Sequence, residues 1–135
     1  MQEKTIFEKI IEGSIPCYKV YEDSFTLAFL SLEQKTKGHT LVVPKIHSRN
    51  ILDISENDLL KTMSVVRNIS AHLYTILKAA GIRIQQNSEK GAGQEVFHTH
   101  FHVIPYYENV SCENKDRIIL THEELLVLSG EIYLK

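Results

Sequence analysis

Residues 95–105 read EVFHTHFHVIP and hold three of the chain's seven histidines, His98, His100 and His102, each one residue from the next. Side chains of a strand alternate between its faces, so on an extended segment these imidazoles face one way together with Ile104. Phe97, Thr99, Phe101 and Val103 then face the other way, where a helix can cover them. Such a row repeats about every 6.6 Å and spans about 13 Å. Desolvating three imidazoles together is costly unless something binds them, so the row asks for a function.

Two chemistries suit it. A His-x-His pair is a good two-ligand bite for zinc, but three collinear histidines cannot all converge on one tetrahedral ion. The segment also lacks cysteine, and its one carboxylate is Glu95. Phosphoryl or nucleotidyl transfer uses the whole row. Imidazole is a competent nucleophile toward phosphorus, and an ordinary pKa near 6.5 leaves much of it neutral at working pH. A central imidazole attacks while a flanking one holds or protonates oxygens of the transferred group. The attacking ring must donate its other nitrogen to a carbonyl so that a lone pair faces the substrate. The preceding Gly91-Ala92-Gly93 permits a tight turn whose amides can face an anion, and Gln94 can add a side-chain donor. His39, His72 and His122, each alone, read as structural or surface residues.

The elements that must position this row follow from the rest of the chain. Thr5-Ile6-Phe7-Glu8 has the spacing of a capping box, which predicts a helix over about 6–12 that stops at Gly13. Residues 18–22 and 25–31 read as a hairpin around Asp23-Ser24, and 39–44 as a third strand ended by Pro44. Ser55 caps a long helix predicted over 55–80, with Leu59, Met63, Val66, Leu73, Leu77 and Ala80 as its apolar stripe and Gly81 as its stop. Residues 82–87 predict a fourth strand and 95–104 a long fifth. Thr121-His122-Glu123-Glu124 is a second capping box before a short helix or strand, and 107–117 reads as loop. The sum is an α+β chain with a mostly antiparallel sheet.

Composition bounds the partners. At 135 residues the chain is expected to form one domain, 1–135. A formal net charge of −2 gives no broad attraction to nucleic acid or to an anionic membrane, so neither is expected as a partner. The amino-terminal stretch MQEKTIFEKIIEG is charged throughout and lacks a signal peptide's apolar core, and no apolar run approaches the roughly 20 residues of a membrane span. Cys17 and Cys112 form no Cys-x-x-Cys and read as reduced thiols, which fits a cytoplasmic setting.

His98-Thr99-His100-Phe101-His102-Val103-Ile104 resembles the His-φ-His-φ-His-φ-φ signature of the histidine triad (HIT) family, with a threonine at the first φ. The resemblance runs in order from Thr5-Ile6-Phe7 through Gly38-His39-Thr40-Leu41-Val42-Val43-Pro44-Lys45 to Gly93-Gln94-Glu95-Val96, over about residues 4–106. A third histidine, where the uridylyltransferase branch has glutamine, is similar to the Hint branch. The resemblance implies a five-stranded antiparallel sheet with one long and one short helix, and a homodimer whose sheets join. It implies hydrolysis or transfer of purine nucleotides, from nucleoside phosphoramidates or related adenylated small molecules, through a covalent nucleotidyl-histidine. His100 would be the nucleophile, His102 a phosphate contact, His98 a support and His47 a fourth histidine behind them. Asn87, Gln94, Glu95 and Val96 would line the phosphate site. Ile6, Phe7, Ile10, Phe29 and Leu32 would hold the base, although spacing alone favours plain core packing for those five.

Two departures stand out. Many bacterial relatives hold zinc with an amino-terminal Cys-x-x-Cys and histidines; Thr5 and Glu8 stand there instead, so neither a structural metal nor any cofactor is expected. Ser31 stands where the family usually has an aspartate that accepts from both ribose hydroxyls. That difference keeps open a nucleotide-binding module with weak catalysis; a dinucleoside polyphosphate hydrolase, with the same chemistry on another substrate, is the other reading left open. The tail, 107–135, lies outside the resemblance.

Overall fold

The computed structural model describes residues 3–135. Met1 and Gln2, the start of the charged amino-terminal stretch, lie outside the described residues. Among the described residues three α-helices, five strands and one 3-10 turn at Lys90–Ala92 occur: α1 Ile6–Glu12, β1 Lys19–Glu22, β2 Thr26–Leu30, β3 Thr40–Pro44, α2 Glu56–Ile76, β4 Gly81–Gln85, β5 Phe101–Tyr106 and α3 His122–Glu131. The strands form one antiparallel sheet in the order β1-β2-β3-β5-β4.

The sheet is covered on both faces, which is why β2 and β3 are buried at every position rather than at alternate ones. Ala28, Leu30, Val42, Phe101 and Val103 face α2 and α3, meeting Val66, Ile69, Leu73, Leu125 and Leu128. Leu27, Phe29, Leu41 and Val43 face the other way and pack on Phe7 of α1. Full burial of one such aromatic or aliphatic side chain contributes about 1.5–3 kcal/mol, so each face is independently stabilised. By the same alternation β5 directs His102 toward the α1 side and Phe101 and Val103 toward α2.

Local chemistry sets the element ends. Thr5 and Glu8 close the expected capping box at α1, and Gly13 ends it at φ 90°. Asp23 makes the β1–β2 turn by accepting the amide hydrogens of Phe25 and Thr26 at 2.7 and 2.8 Å. At the far side, Thr121 and Glu124 form the second capping box and start α3, a third helix beyond the one long and one short helix expected.

Three sequence expectations need correction. The long helix ends at Ile76, not Ala80, because Lys78 takes a left-handed conformation (φ 52°) and the Ala79 amide returns to the Tyr74 carbonyl. The Ala80 amide then bonds Tyr106 at 2.7 Å, so Gly81 opens β4 instead of ending α2, and Ala80 is exposed. The fifth strand begins at Phe101, not Glu95. Phe97 lies outside the α2-facing core and half-buried under the Arg49 guanidinium, 4.3 Å from its ring centre.

Candidate active site

Only His102 of the three histidines lies on a strand, between Leu41 of β3 and Gln85 of β4. His98 and His100 precede β5 on a bent segment, and Thr99 fixes the bend. Its amide donates to the Ser48 carbonyl at 2.9 Å, and its hydroxyl pairs with the Ser48 hydroxyl at 2.6 Å. Both residues are buried. The threonine at the first φ therefore clamps the segment to the turn after β3. The bend brings the His100 and His102 ring centres to 5.1 Å, closer than an extended row allows.

The hydrogen bonds assign every tautomer. His100 Nδ1 lies 2.7 Å from the His98 carbonyl, so Nδ1 carries the proton and Nε2 the lone pair. His98 Nε2 donates to the Pro44 carbonyl at 2.7 Å, which leaves its Nδ1 to accept from His47 Nδ1 at 3.1 Å. On the other side, His39 Nδ1 accepts the Lys35 amide hydrogen at 3.1 Å. His39 Nε2–H must then donate to His102 Nδ1, 2.9 Å away, so His102 presents Nε2–H as a donor. One lone pair and one neighbouring N–H stand side by side.

Burial keeps these rings neutral. Desolvation is the first cause lowering His98 and His100. It takes His102 down to about 4, helped by His100, Lys35 and Arg117, and His39 to about 3, helped by His102, Lys35 and Arg117.

His100, His102 and His39 floor a cavity of about 520 Å³, and His100 keeps 9% of its surface exposed there. His98 and His47 stand behind the floor, not in it. Ile6, Phe7, Ile10, Phe29, Ser31 and Leu32 all line the same cavity. Phe7 and Phe29 are core residues as well, edge to face with centres 5.6 Å apart, and Phe7 stands edge-on to His100 at 4.9 Å. Ile6 and Leu32 are 46% and 64% exposed and give that cavity apolar surface. Ser31 spends its hydroxyl on the Glu33 carbonyl at 2.9 Å.

Asn87, Glu95 and Val96 line the cavity near His100, whereas Gln94 does not. The Gln94 side chain is buried, donating to the Arg49 and Val96 carbonyls and accepting from Asn50 and the Glu89 amide, so no donor remains for an anion. The glycine turn also differs from expectation. The amides of Ala92, Gly93 and Gln94 bond carbonyls of Glu89 and Lys90 within the turn and do not face the cavity. Gln94 and this turn hold the loop's shape.

His39 is a cavity-floor histidine that sequence reading missed. Its signal was strand alternation: His39 shares a face with Leu41, which pairs with His102. Lys35 and Arg117 also line the cavity unannounced, because nothing in the sequence says that the tail returns there.

A metal fits one place. Glu8, set aside for lacking a thiolate, brings a carboxylate oxygen to His47 and His98, with the three ligand atoms all within 4.8 Å of one another. The Pro44 carbonyl already fixes His98 in the tautomer a ligand needs, so the trio suits a zinc-like ion with a fourth position left over. The expectation that losing the cysteines removes the site does not follow from this geometry.

Comparison with known proteins bears on the family. A family model described as the HIT domain matches residues 12–109. The chain is similar to a HIT-like protein of Borreliella burgdorferi, 48% identical over 106 residues that cover 77% of this chain and 76% of that one. It is 36% identical over 100 residues to the adenosine 5′-monophosphoramidase HNT1 of Saccharomyces cerevisiae, covering 74% of this chain and 61% of that protein. Among solved structures, a Hit-like protein from Bartonella henselae superposes with a TM-score of 0.89 at 34% identity, over 98% of this chain and 97% of that one.

Proposed function

The chain belongs to the HIT domain family, and from that premise we propose that it is a nucleotide hydrolase or nucleotidyl transferase acting on purine nucleoside phosphoramidates or related adenylated small molecules. The observation that carries this reading is the His100 tautomer. Its Nδ1–H is held by the His98 carbonyl, so the lone pair of a neutral Nε2 is the atom offered at the cavity floor. The naming of HNT1 as an adenosine 5′-monophosphoramidase supports the substrate class.

In this reading His100 Nε2 attacks the α-phosphorus and forms an N–P bond. The P–N bond to the leaving group breaks, and the amine departs with the bonding pair and takes a proton from solvent. The nucleotidyl-imidazole carries positive charge, which the His98 carbonyl offsets through Nδ1–H. His102 Nε2–H donates to a non-bridging oxygen. Water then attacks phosphorus and releases one proton to solvent, the P–N bond to His100 breaks with its electron pair returning to Nε2, and the nucleoside monophosphate leaves with neutral His100 restored. The apolar wall from Ile6 to Leu32 holds the purine, and Asn87, Glu95 and Val96 border the reacting phosphate.

Glu8, His47 and His98 would hold a zinc ion, which would supply a rigid tie between α1 and the histidine segment; no step above passes through it. The reading includes a homodimer joined through the sheets, for which the edge strand β4, with Ile84 exposed, is available. Replacing His100 tests the assignment: in His100→Ala, hydrolysis of adenosine 5′-phosphoramidate falls at least about a thousandfold while adenosine monophosphate still binds. Turnover retained in that variant discards it.

A further inference from the structure

The corner of the cavity beyond His102 gathers like charges. Lys35 and Arg117 line it, and the Lys35 ammonium also lies within the field of Arg83 on β4. None of the three is ion-paired with a carboxylate among the described residues. Arg117 reaches only the Lys115 carbonyl, at 2.9 Å, and Arg83 lies over the Tyr106 ring at 5.0 Å, 3.4 Å from its hydroxyl. Glu33 lines the same cavity and pairs with none of them.

The backbone builds this arrangement. Gln34 and Ile118 form an isolated antiparallel bridge, with amide-to-carbonyl bonds of 3.2 and 2.7 Å in the two directions. The next opposed pair in that register is Lys35 with Arg117, and like charges directly opposed across a bridge are destabilising. The bridge is nevertheless well anchored. The fully buried Gln34 side chain donates to the Ser31 and His39 carbonyls and accepts the Gly38 and His39 amide hydrogens. A rigid support that holds two opposed cations at a cavity wall is a preformed anion site.

Its place in the cavity says which part of a nucleotide it meets. The charged neighbour acting on His100 is Glu95, whereas Lys35 and Arg117 act on His102 and His39. A leaving group departs in line with the attacking nitrogen and so away from the imidazole floor. Lys35 instead lies on the loop that carries Ser31, and Arg117 on the tail segment bridged to that loop, at the His102 and His39 end of the cavity and so beside the nucleoside. Dinucleotide-binding folds make a comparable exchange, with a carboxylate for a free ribose hydroxyl and an arginine for a ribose phosphate.

We infer that the Lys35–Arg117 corner binds a second phosphate of the substrate, carried on the 2′ or 3′ oxygen of its ribose. The inference rests on the nucleotide-transfer reading. Isothermal titration of the full chain with adenosine 5′-monophosphate, adenosine 2′,5′-bisphosphate, adenosine 3′,5′-bisphosphate and adenosine 5′-diphosphate tests it, alongside the Lys35→Gln/Arg117→Gln double variant. At low ionic strength one bisphosphate binds about ten- to a hundredfold tighter than the monophosphate, the diphosphate gains less, and the double variant loses the preference. Equal binding of monophosphate and both bisphosphates overturns the inference and leaves the transfer reading standing. So does a preference that survives in the double variant, or an equal gain by the diphosphate, which would put the anion on the phosphate chain. Should none of the four ligands bind, the transfer reading fails with it.

Discussion

His100 works as a nucleophile only while its ring is neutral. Burial lowers its folded pKa, so the lone pair persists as pH falls through the ordinary histidine value near 6.5. The acid limb of kcat/KM is therefore predicted below pH 6.5, and a pH–rate profile checks it; a limb centred at or above 6.5 would place a charged, solvated ring at the site. Histidine spacing singled out three residues and the middle one among them. It could not assign protons, since those depend on the His98 and Pro44 carbonyls and on the Lys35 amide, all supplied by the fold. For the same reason the hydrogen bond that His39 donates to His102 became visible only in the fold, although strand alternation already set His39 on the face of Leu41.

Segment geometry decides whether those protons matter. The histidine run leaves the strand before Phe101 because Thr99 is tied twice to Ser48, and the His100 and His102 ring centres come to 5.1 Å, against a repeat of about 6.6 Å in an extended row. Thr99→Val keeps the shape but strands the buried Ser48 hydroxyl. We predict a loss of about 1–3 kcal/mol in urea unfolding, with kcat falling up to about a hundredfold as His100 shifts. An unchanged kcat with the stability loss would show that the clamp serves folding alone. Capping boxes at Thr5 and Thr121 were readable because their spacing is local. The start of β5 and the end of α2 were not, since a threonine–serine clamp and the Ala80–Tyr106 pairing join residues far apart in the chain.

Across the molecule, α1 and the cavity share one face of the sheet while α2 and α3 seal the other, so the neutral histidines are also part of the folded state's stability. His39 and His102, with folded pKa values near 3 and 4, bind fewer protons folded than unfolded in the pH window between about 6.5 and those values. Their contribution is fully present above that pH and is lost as pH falls toward 4 and 3, each adding up to about 1.4 kcal/mol per pH unit. Urea midpoints measured from pH 7 to pH 4 therefore drop, and the His39→Gln variant has the shallower slope; equal slopes contradict the neutral His39. The sheet, its antiparallel order and the apolar wall followed from alternation and from the resemblance, whereas the cationic corner required the tail to return to the Gln34 loop. No helix among the described residues is long and apolar enough to cross a membrane. The central claim is a covalent bond from phosphorus to His100, and mass spectrometry of the protein mixed with adenosine 5′-phosphoramidate and quenched in alkali measures it most directly. We predict a mass increase of one adenylyl group mapped to His100 and absent from His100→Ala; turnover without that adduct, or an adduct on another histidine, would contradict the account.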